Sequence, residues 1–239
     1  LINSFIILSA SSAITKLFSI LNRMILARQL GQEAMALYIL VMPTVSLCIT
    51  LGQLGIPSAV FRLVANPKYN NKKIVISGLT ICLFTCIIVM SALLFSSKCI
   101  SHNLLRNEGA FYPLLSLALF IPLVGISGII KNYFLAKQNV FLVAKAGFVE
   151  EVARLSFSYL MIRQFSFLTD TYLVSFATLA MSVGELASIL YLTTRLKDHH
   201  ITTFNKQSIV NNLQIKDMLN IAMPLTGSRL YQCLVSFLE

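Results

Sequence analysis

The residues able to do chemistry in this chain are charged side chains set inside apolar sequence. Residues 11–28 read "SSAITKLFSILNRMILAR", with Lys16 and Arg23 well inside the run. A cation at the bilayer centre costs about 2.5–3.5 kcal/mol even on the lenient insertion scale. Ser12, Thr15, Lys16, Ser19, Asn22 and Arg23 recur at three- and four-residue steps and form one polar stripe of a helix. Lys16 and Arg23 are two helical turns apart, about 10 Å, with Lys16 the deeper of the two. Such a seam faces either a water-filled cavity or a partner carboxylate, and Arg23 has the further option of snorkelling to the outer interface. As an anion site, the two cations have a spacing suited to a diphosphate. Arg28 lies about 140° round the helix from Arg23 and reads as an interface anchor.

Further charges sit in the second half. In "GFVEEVARLSF", Glu150 and Arg154 are placed to pair at i,i+4, and Glu151 reaches Arg154 at i,i+3. Their expected role is to hold the helix in its bundle. Glu185, in "GELAS", has no basic residue near it on its own helix. It requires a partner from another helix or a bound proton, which leaves ion or proton coupling open. Arg229, in "PLTGSRLYQ" beside Gly227 and Ser228, suggests a group facing a cavity.

Other chemistry is missing from the pattern. No serine, histidine and acid can be assembled into a nucleophilic site, no phosphate-binding glycine loop follows a strand, and no paired acids sit on a soluble face. An enzyme is not expected, and nothing calls for a cofactor. Cys82 and Cys86 share a helix face, but no His, Asp or Glu joins them, so they read as small packing residues. Asp198, His199 and His200 are adjacent and point in different directions, which does not make a metal site.

The elements that must position these charges are membrane helices. The chain is 56% hydrophobic and 12% charged, with a mean hydropathy of +0.78. Residues 74–97 and 109–130 contain no charge, and such runs match the roughly 30 Å hydrocarbon core. The expected spans are about 3–26, 35–62, 74–97, 110–133, 141–163 and 171–194, with a seventh from about 217. Pro43, Pro57, Pro113 and Pro122, with nearby glycines, mark breaks or bends that neighbouring helices can re-satisfy. The fold class is therefore all-α and polytopic: residues 1–195 a six-helix transmembrane lobe, 196–216 a polar inter-lobe linker, and 217–239 a cut-short first helix of a second lobe. A start without methionine and an end in mid-helix make the chain read as part of a longer protein.

The net charge of +10 is carried mostly by connections. Arg62, Lys68, Lys72, Lys73, Lys131, Lys137, Lys145, Arg195, Lys197, Lys206 and Lys216 fall on one side, against Arg28, Lys98, Arg106 and Arg163 on the other. The basic side is cytoplasmic, which puts the amino terminus inside. No soluble basic face with stacking aromatics is present, so nucleic acid is not an expected partner.

Several stretches together resemble one family. Residues 14–65, "ITKLFSILNRMILARQLGQEAMALYILVMPTVSLCITLGQLGIPSAVFRLVA", resemble the opening of the stage V sporulation protein B group. These are relatives of the MurJ-type lipid II flippases within the multidrug/oligosaccharidyl-lipid/polysaccharide (MOP) exporter superfamily. "YPLLSLALFIPLVGISGIIKNYFLAKQN", "VEEVARL", "GELASILYL" and "MPLTGSRLYQCLVSFLE" agree. The resemblance implies two six-helix lobes around a V-shaped cavity, with access alternating by rocking of the lobes. It also implies that basic residues of the first helix meet a substrate pyrophosphate. Lys16 matches one such position, the next falls on Asn22 with Arg23 one residue later, and a basic position of the second helix falls in apolar sequence around Leu47.

The function expected from residues and resemblance together is a flippase in the bacterial cytoplasmic membrane. It would carry an undecaprenyl-diphosphate-linked envelope or peptidoglycan precursor, with sporulation as the expected setting. Lys16, Asn22, Arg23 and Arg229 are the substrate-binding candidates; Glu150, Arg154 and Glu185 are structural or coupling charges. Expected partners are the lipid-linked glycan diphosphate, membrane lipids and the missing second lobe. The alternatives are a cation-coupled multidrug exporter of the same superfamily and a non-transporting scaffold for envelope synthesis.

Overall fold

A computed structural model describes residues 2–66, 71–165, 167, 169–198 and 211–238, and every regular element among them is helical. The helices are α1 (Ile2–Gln53), α2 (Ile56–Val64), α3 (Asn71–Cys99), α4 (Phe111–Ala118), α5 (Phe120–Ala136), α6 (Val140–Gln164), α7 (Asp170–Asp198) and α8 (Asn211–Leu238). A π-helical turn at Ile100–Leu104 and a short 3-10 turn at Glu108–Ala110 join α3 to α4. Asn107 caps the second turn by accepting a hydrogen bond from the Gly109 amide at 2.9 Å.

Sequence expectation and structure differ in where the helices break. The gap expected between the first two spans shrinks to one residue, Gly31, whose φ of 77° and ψ of −177° are open to glycine alone. It divides α1 into arms 2–30 and 32–53. Residues 32–37, "QEAMAL", are mostly good helix formers, so nothing but Gly31 interrupts the helix there. The expected second span is in turn split at Leu54 and Gly55, with φ of 44° and 65°. Pro57 follows in the first turn of α2, where its missing N–H costs nothing. The fourth span is broken between α4 and α5, because Pro122 cannot donate to the Ala118 carbonyl. α7 runs on to Asp198 and α8 begins at Asn211. Most of the expected linker, with His199, His200 and Lys206, lies outside the described residues, as does Lys68.

Among the described residues, four helical stretches are long and apolar enough to cross a membrane: Thr15–Gln53, Asn71–Asn103, Glu108–Ala136 and Asp170–Arg195. The first has 39 residues, about 58 Å if straight and nearly twice the hydrocarbon thickness. α6 fails on composition because Lys145, Glu150, Glu151 and Arg154 fall within it. Burial is arranged for lipid. Phe95 is 91% exposed and Leu190 65%, while Glu151 and Glu185 are buried. A soluble domain has the reverse.

The helices meet through small residues. A Cβ at Gly125 would lie 2.9 Å from the Cys86 sulfur and 3.1 Å from that of Cys82, and one at Gly52 would lie 3.2 Å from Cys86. Both cysteines are buried there, filling the space that α1 and α5 leave against α3. α6 and α7 form an antiparallel hairpin, the first arm of α1 packs on α6, and α8 lies across α1, α2 and α3.

Candidate functional site

Two charged regions and one helix junction stand out. The first lies where α5, α6 and α7 meet. Lys131, five residues before the end of α5 at Ala136, points inward. Its Nζ donates to Glu150 Oε2 of α6 at 2.7 Å and to Glu185 Oε2 of α7 at 3.2 Å. On α6 the Arg154 guanidinium donates to Glu150 Oε1 at 2.6 Å and to Glu151 Oε1 at 3.0 Å. Helical spacing aligns the last three groups on one face, and the cross-helix pairs tie that face to its neighbours. No side chain in the cluster is more than 21% exposed. The close approach is made possible by Gly184, beside Glu185, where a Cβ would lie 2.9 Å from the Glu150 carbonyl oxygen. Two cations face three carboxylates, and Glu151 Oε2 and Arg154 Nε are buried without a hydrogen-bond partner among the described residues.

Sequence reading anticipated the pairs within α6 and Glu185's need for a partner on another helix. It missed Lys131, which was grouped with the basic residues of a cytoplasmic turn. In the structure Lys131 is paired with Glu150 and Glu185 between α5, α6 and α7. The available signal was position: Lys131 lies within an otherwise apolar helical stretch, six residues before Lys137.

The second region is the first arm of α1. Phe18 meets Phe148 edge-on at 5.1 Å, and Thr15 Oγ1 lies 3.7 Å from where a Gly147 Cβ would be. Asn22, Leu26 and Leu30 continue this buried face. Asn22 is thus separated from Arg23: its Oδ1 is buried with no hydrogen-bond partner among the described residues, whereas Lys16 and Arg23 are exposed. The two cations lie within about 20° of each other round the helix and about 100–120° from Asn22. They stand at the edge between the packed face and the apolar outer face of Leu17 and Met24. Neither has a carboxylate partner among the described residues. Arg23 and Arg154 both act electrostatically on the Tyr38 hydroxyl. Lys16 is level with Gly147, one turn from Glu150. Arg28 is exposed near the end of the arm.

The junction is formed by α8 on the break between α1 and α2. Arg229 donates from Nη2 to Ser58 Oγ at 2.9 Å and from Nη1 to Gln53 Oε1 at 3.5 Å. Gln53 passes the connection on, its amide donating to the Val124 carbonyl of α5 at 3.2 Å. Gly55 allows the approach, since a Cβ there would lie 2.8 Å from the Ala222 carbonyl oxygen. The half-buried guanidinium is held by neutral groups and has no carboxylate partner among the described residues.

With this arrangement in hand, comparison with known proteins is decisive for the family. The family model described as "Polysaccharide biosynthesis protein" matches residues 1–239. The chain belongs to the polysaccharide biosynthesis protein family. Among curated members of similar sequence, stage V sporulation protein B of Bacillus subtilis (strain 168) is 31% identical over 98% of this chain and 47% of its own length. Sporulation protein YkvU of the same organism is 24% identical over 100% of this chain and 53% of its own. The chain therefore spans about half the length of the curated relatives it matches.

The solved structures that this polysaccharide biosynthesis family chain resembles define its fold. An outward-facing multidrug resistance MATE family transporter of the MOP superfamily superposes with a TM-score of 0.77 at 15% identity, covering 97% of this chain and 52% of that one. A MOP superfamily transporter from Pyrococcus furiosus superposes with a TM-score of 0.71 at 16% identity, over 97% and 52%. The helices that carry Lys16, Lys131, Glu150, Glu185 and Arg229 thus build about half of a MOP-type transporter fold.

Proposed function

We propose that the full-length protein is a flippase of the bacterial cytoplasmic membrane that translocates an undecaprenyl-diphosphate-linked envelope or peptidoglycan precursor by alternating access, with a role in sporulation. The single observation that carries this reading is the contrast in charge compensation. The α5–α6–α7 cations are consumed by carboxylates, whereas Lys16 and Arg23 are left exposed, aligned and about 10 Å apart on a membrane helix. Exposed intramembrane cations of that kind suit an anionic ligand. A diphosphate accepts charge-assisted hydrogen bonds from both. Arg229, held by Ser58 and Gln53, contributes a third positive charge from α8. Asn22 serves the packing of the arm on α6 more than the ligand, since its side chain is buried.

In this reading residues 1–195 form the first lobe, residues 196–216 the cytoplasmic linker, and residues 217–239 open the second lobe, which completes the cavity. The amino terminus is cytoplasmic, the lipid tail stays in the bilayer and no cofactor is involved. In the alternative, a multidrug exporter driven by cations, Glu185 would be the coupling acid, and Lys131 engages that carboxylate.

The test is translocation by the full-length protein in proteoliposomes, using fluorescent lipid-linked sugars that differ only in the linker. The expected result is transport of the diphosphate form and a rate at least about tenfold lower for a neutral linker, the effect of losing one charge-assisted contact. Equal transport of both would refute the anion site.

A further inference from the structure

We propose that the charge cluster joining α5, α6 and α7 is a protonation site, holding one exchangeable proton on the Glu151 carboxyl group. The inference begins with a charge count. Lys131 and Arg154 bring two positive charges, and Glu150, Glu151 and Glu185 bring three negative ones when ionised. An uncompensated buried charge is expensive in a medium of low dielectric, and binding a proton removes it.

The geometry selects the carboxyl group. Glu150 has both oxygens engaged, Oε2 on Lys131 at 2.7 Å and Oε1 on Arg154 at 2.6 Å. Glu185 likewise has one ionic contact, from Lys131 at 3.2 Å, but neither of its oxygens is buried without a hydrogen-bond partner. Glu151 has one contact, from Arg154 at 3.0 Å, and that guanidinium is already closer to Glu150. Its second oxygen, Oε2, is buried with no donor among the described residues, in a residue only 5% exposed. Glu151 is therefore the least compensated acid of the three.

The helix of Glu151 packs against α1, α5 and α7. α6 supplies Glu150 and Arg154, α5 supplies Lys131 and α7 supplies Glu185. α1 supplies Tyr38, whose hydroxyl feels Glu151, Arg154 and, from the exposed face of the first arm, Arg23. Arg23 makes no ion pair with any acid of the cluster. Ser127 on α5, and Ser182 and Ser188 three residues to either side of Glu185 on α7, are buried and neutral. Lys131, at 21%, is the most exposed side chain of the cluster. The step is a plain dissociation, in which the Glu151 O–H bond breaks and the proton passes to water, leaving the carboxylate and a cluster of net charge −1.

The experiment uses infrared difference spectroscopy on the full-length protein in lipid nanodiscs at neutral pH, without substrate, so its result does not depend on the transport reading. Wild type is compared with E151Q and E185Q. The proposal expects E151Q to lose one deuterium-sensitive protonated-carboxyl band. E185Q should lose the same band, because the four remaining charges balance and the Glu151 proton is no longer required. Glutamine is the neutral isostere of a protonated glutamate, so E151Q should also fold and melt as wild type does. The proposal is overturned if E151Q subtracts an ionised carboxylate band, if E185Q retains the protonated band, or if E151Q fails to fold.

Discussion

The α5–α6–α7 cluster and the first arm of α1 both place charge inside apolar sequence, and they dispose of it in opposite ways. In the cluster, Lys131 and Arg154 are enclosed by three carboxylates and their charges are spent on holding three helices together. On the arm, Lys16 and Arg23 stay exposed at the edge of the packed face and hold nothing together that is described. The difference separates two uses of an intramembrane cation. One is visible as stability when removed. The other should be invisible to stability and visible only in function.

The largest effect expected is at Glu150, which bridges Lys131 and Arg154. Glu150→Gln leaves Lys131 with Glu185 alone and Arg154 with Glu151 alone, and losing the two shortest contacts of the cluster should destabilise the fold by about 3 kcal/mol, read as a lowered melting temperature or loss of folded protein. A near-neutral result would mean that the cluster is not the clamp described. Next comes Gly184, where the Glu150 carbonyl leaves no room for a methyl group. Gly184→Ala should cost about 1–3 kcal/mol by forcing α7 away from α6. Gly227, which has open space around it, is the internal control and should accept alanine with little change.

Gly55 sharpens the comparison at the junction with α8. Its φ of 65° and the Ala222 carbonyl oxygen both oppose a side chain. Gly55→Ala should therefore cost about 1–3 kcal/mol in unfolding measurements. Ser58→Ala removes one hydrogen bond from Arg229 and should cost about 1 kcal/mol. If Arg229 contributes to the anion site, that variant should weaken binding of a diphosphate lipid in a titration more than it shifts the melting temperature.

How much of this could be read from the sequence depends on the range of the interaction. The Glu150–Arg154 and Glu151–Arg154 pairs are local, set by three- and four-residue spacing, and were legible. The requirement that Glu185 find a partner elsewhere was legible too, since a buried acid alone is costly. The partner was not, because Lys131 meets Glu185 only after α5 and α7 pack, and its place near basic turn residues disguised it. On the first arm, spacing put Lys16, Asn22 and Arg23 on one stripe, but a stripe wider than about 100° can be half packed and half open. Packing on α6 through Thr15, Phe18 and Asn22 made that division, and no local pattern shows which helix will cover which edge. Helix breaks followed the same rule. Pro122 carries its own signal, whereas the reduction of the first connection to Gly31 reflects the absence of any other residue there that opposes a helix.

The smallest effect on stability belongs to Lys16, and it tests the central claim most directly. Lys16→Ala in the full-length protein should leave the melting temperature within the range of a surface substitution, about 0.5 kcal/mol or less. The same preparation, reconstituted in proteoliposomes, should translocate a diphosphate-linked lipid at least about tenfold more slowly than wild type. Wild-type translocation by the folded variant would contradict the account, and so would a fall in stability as large as that of Glu150→Gln.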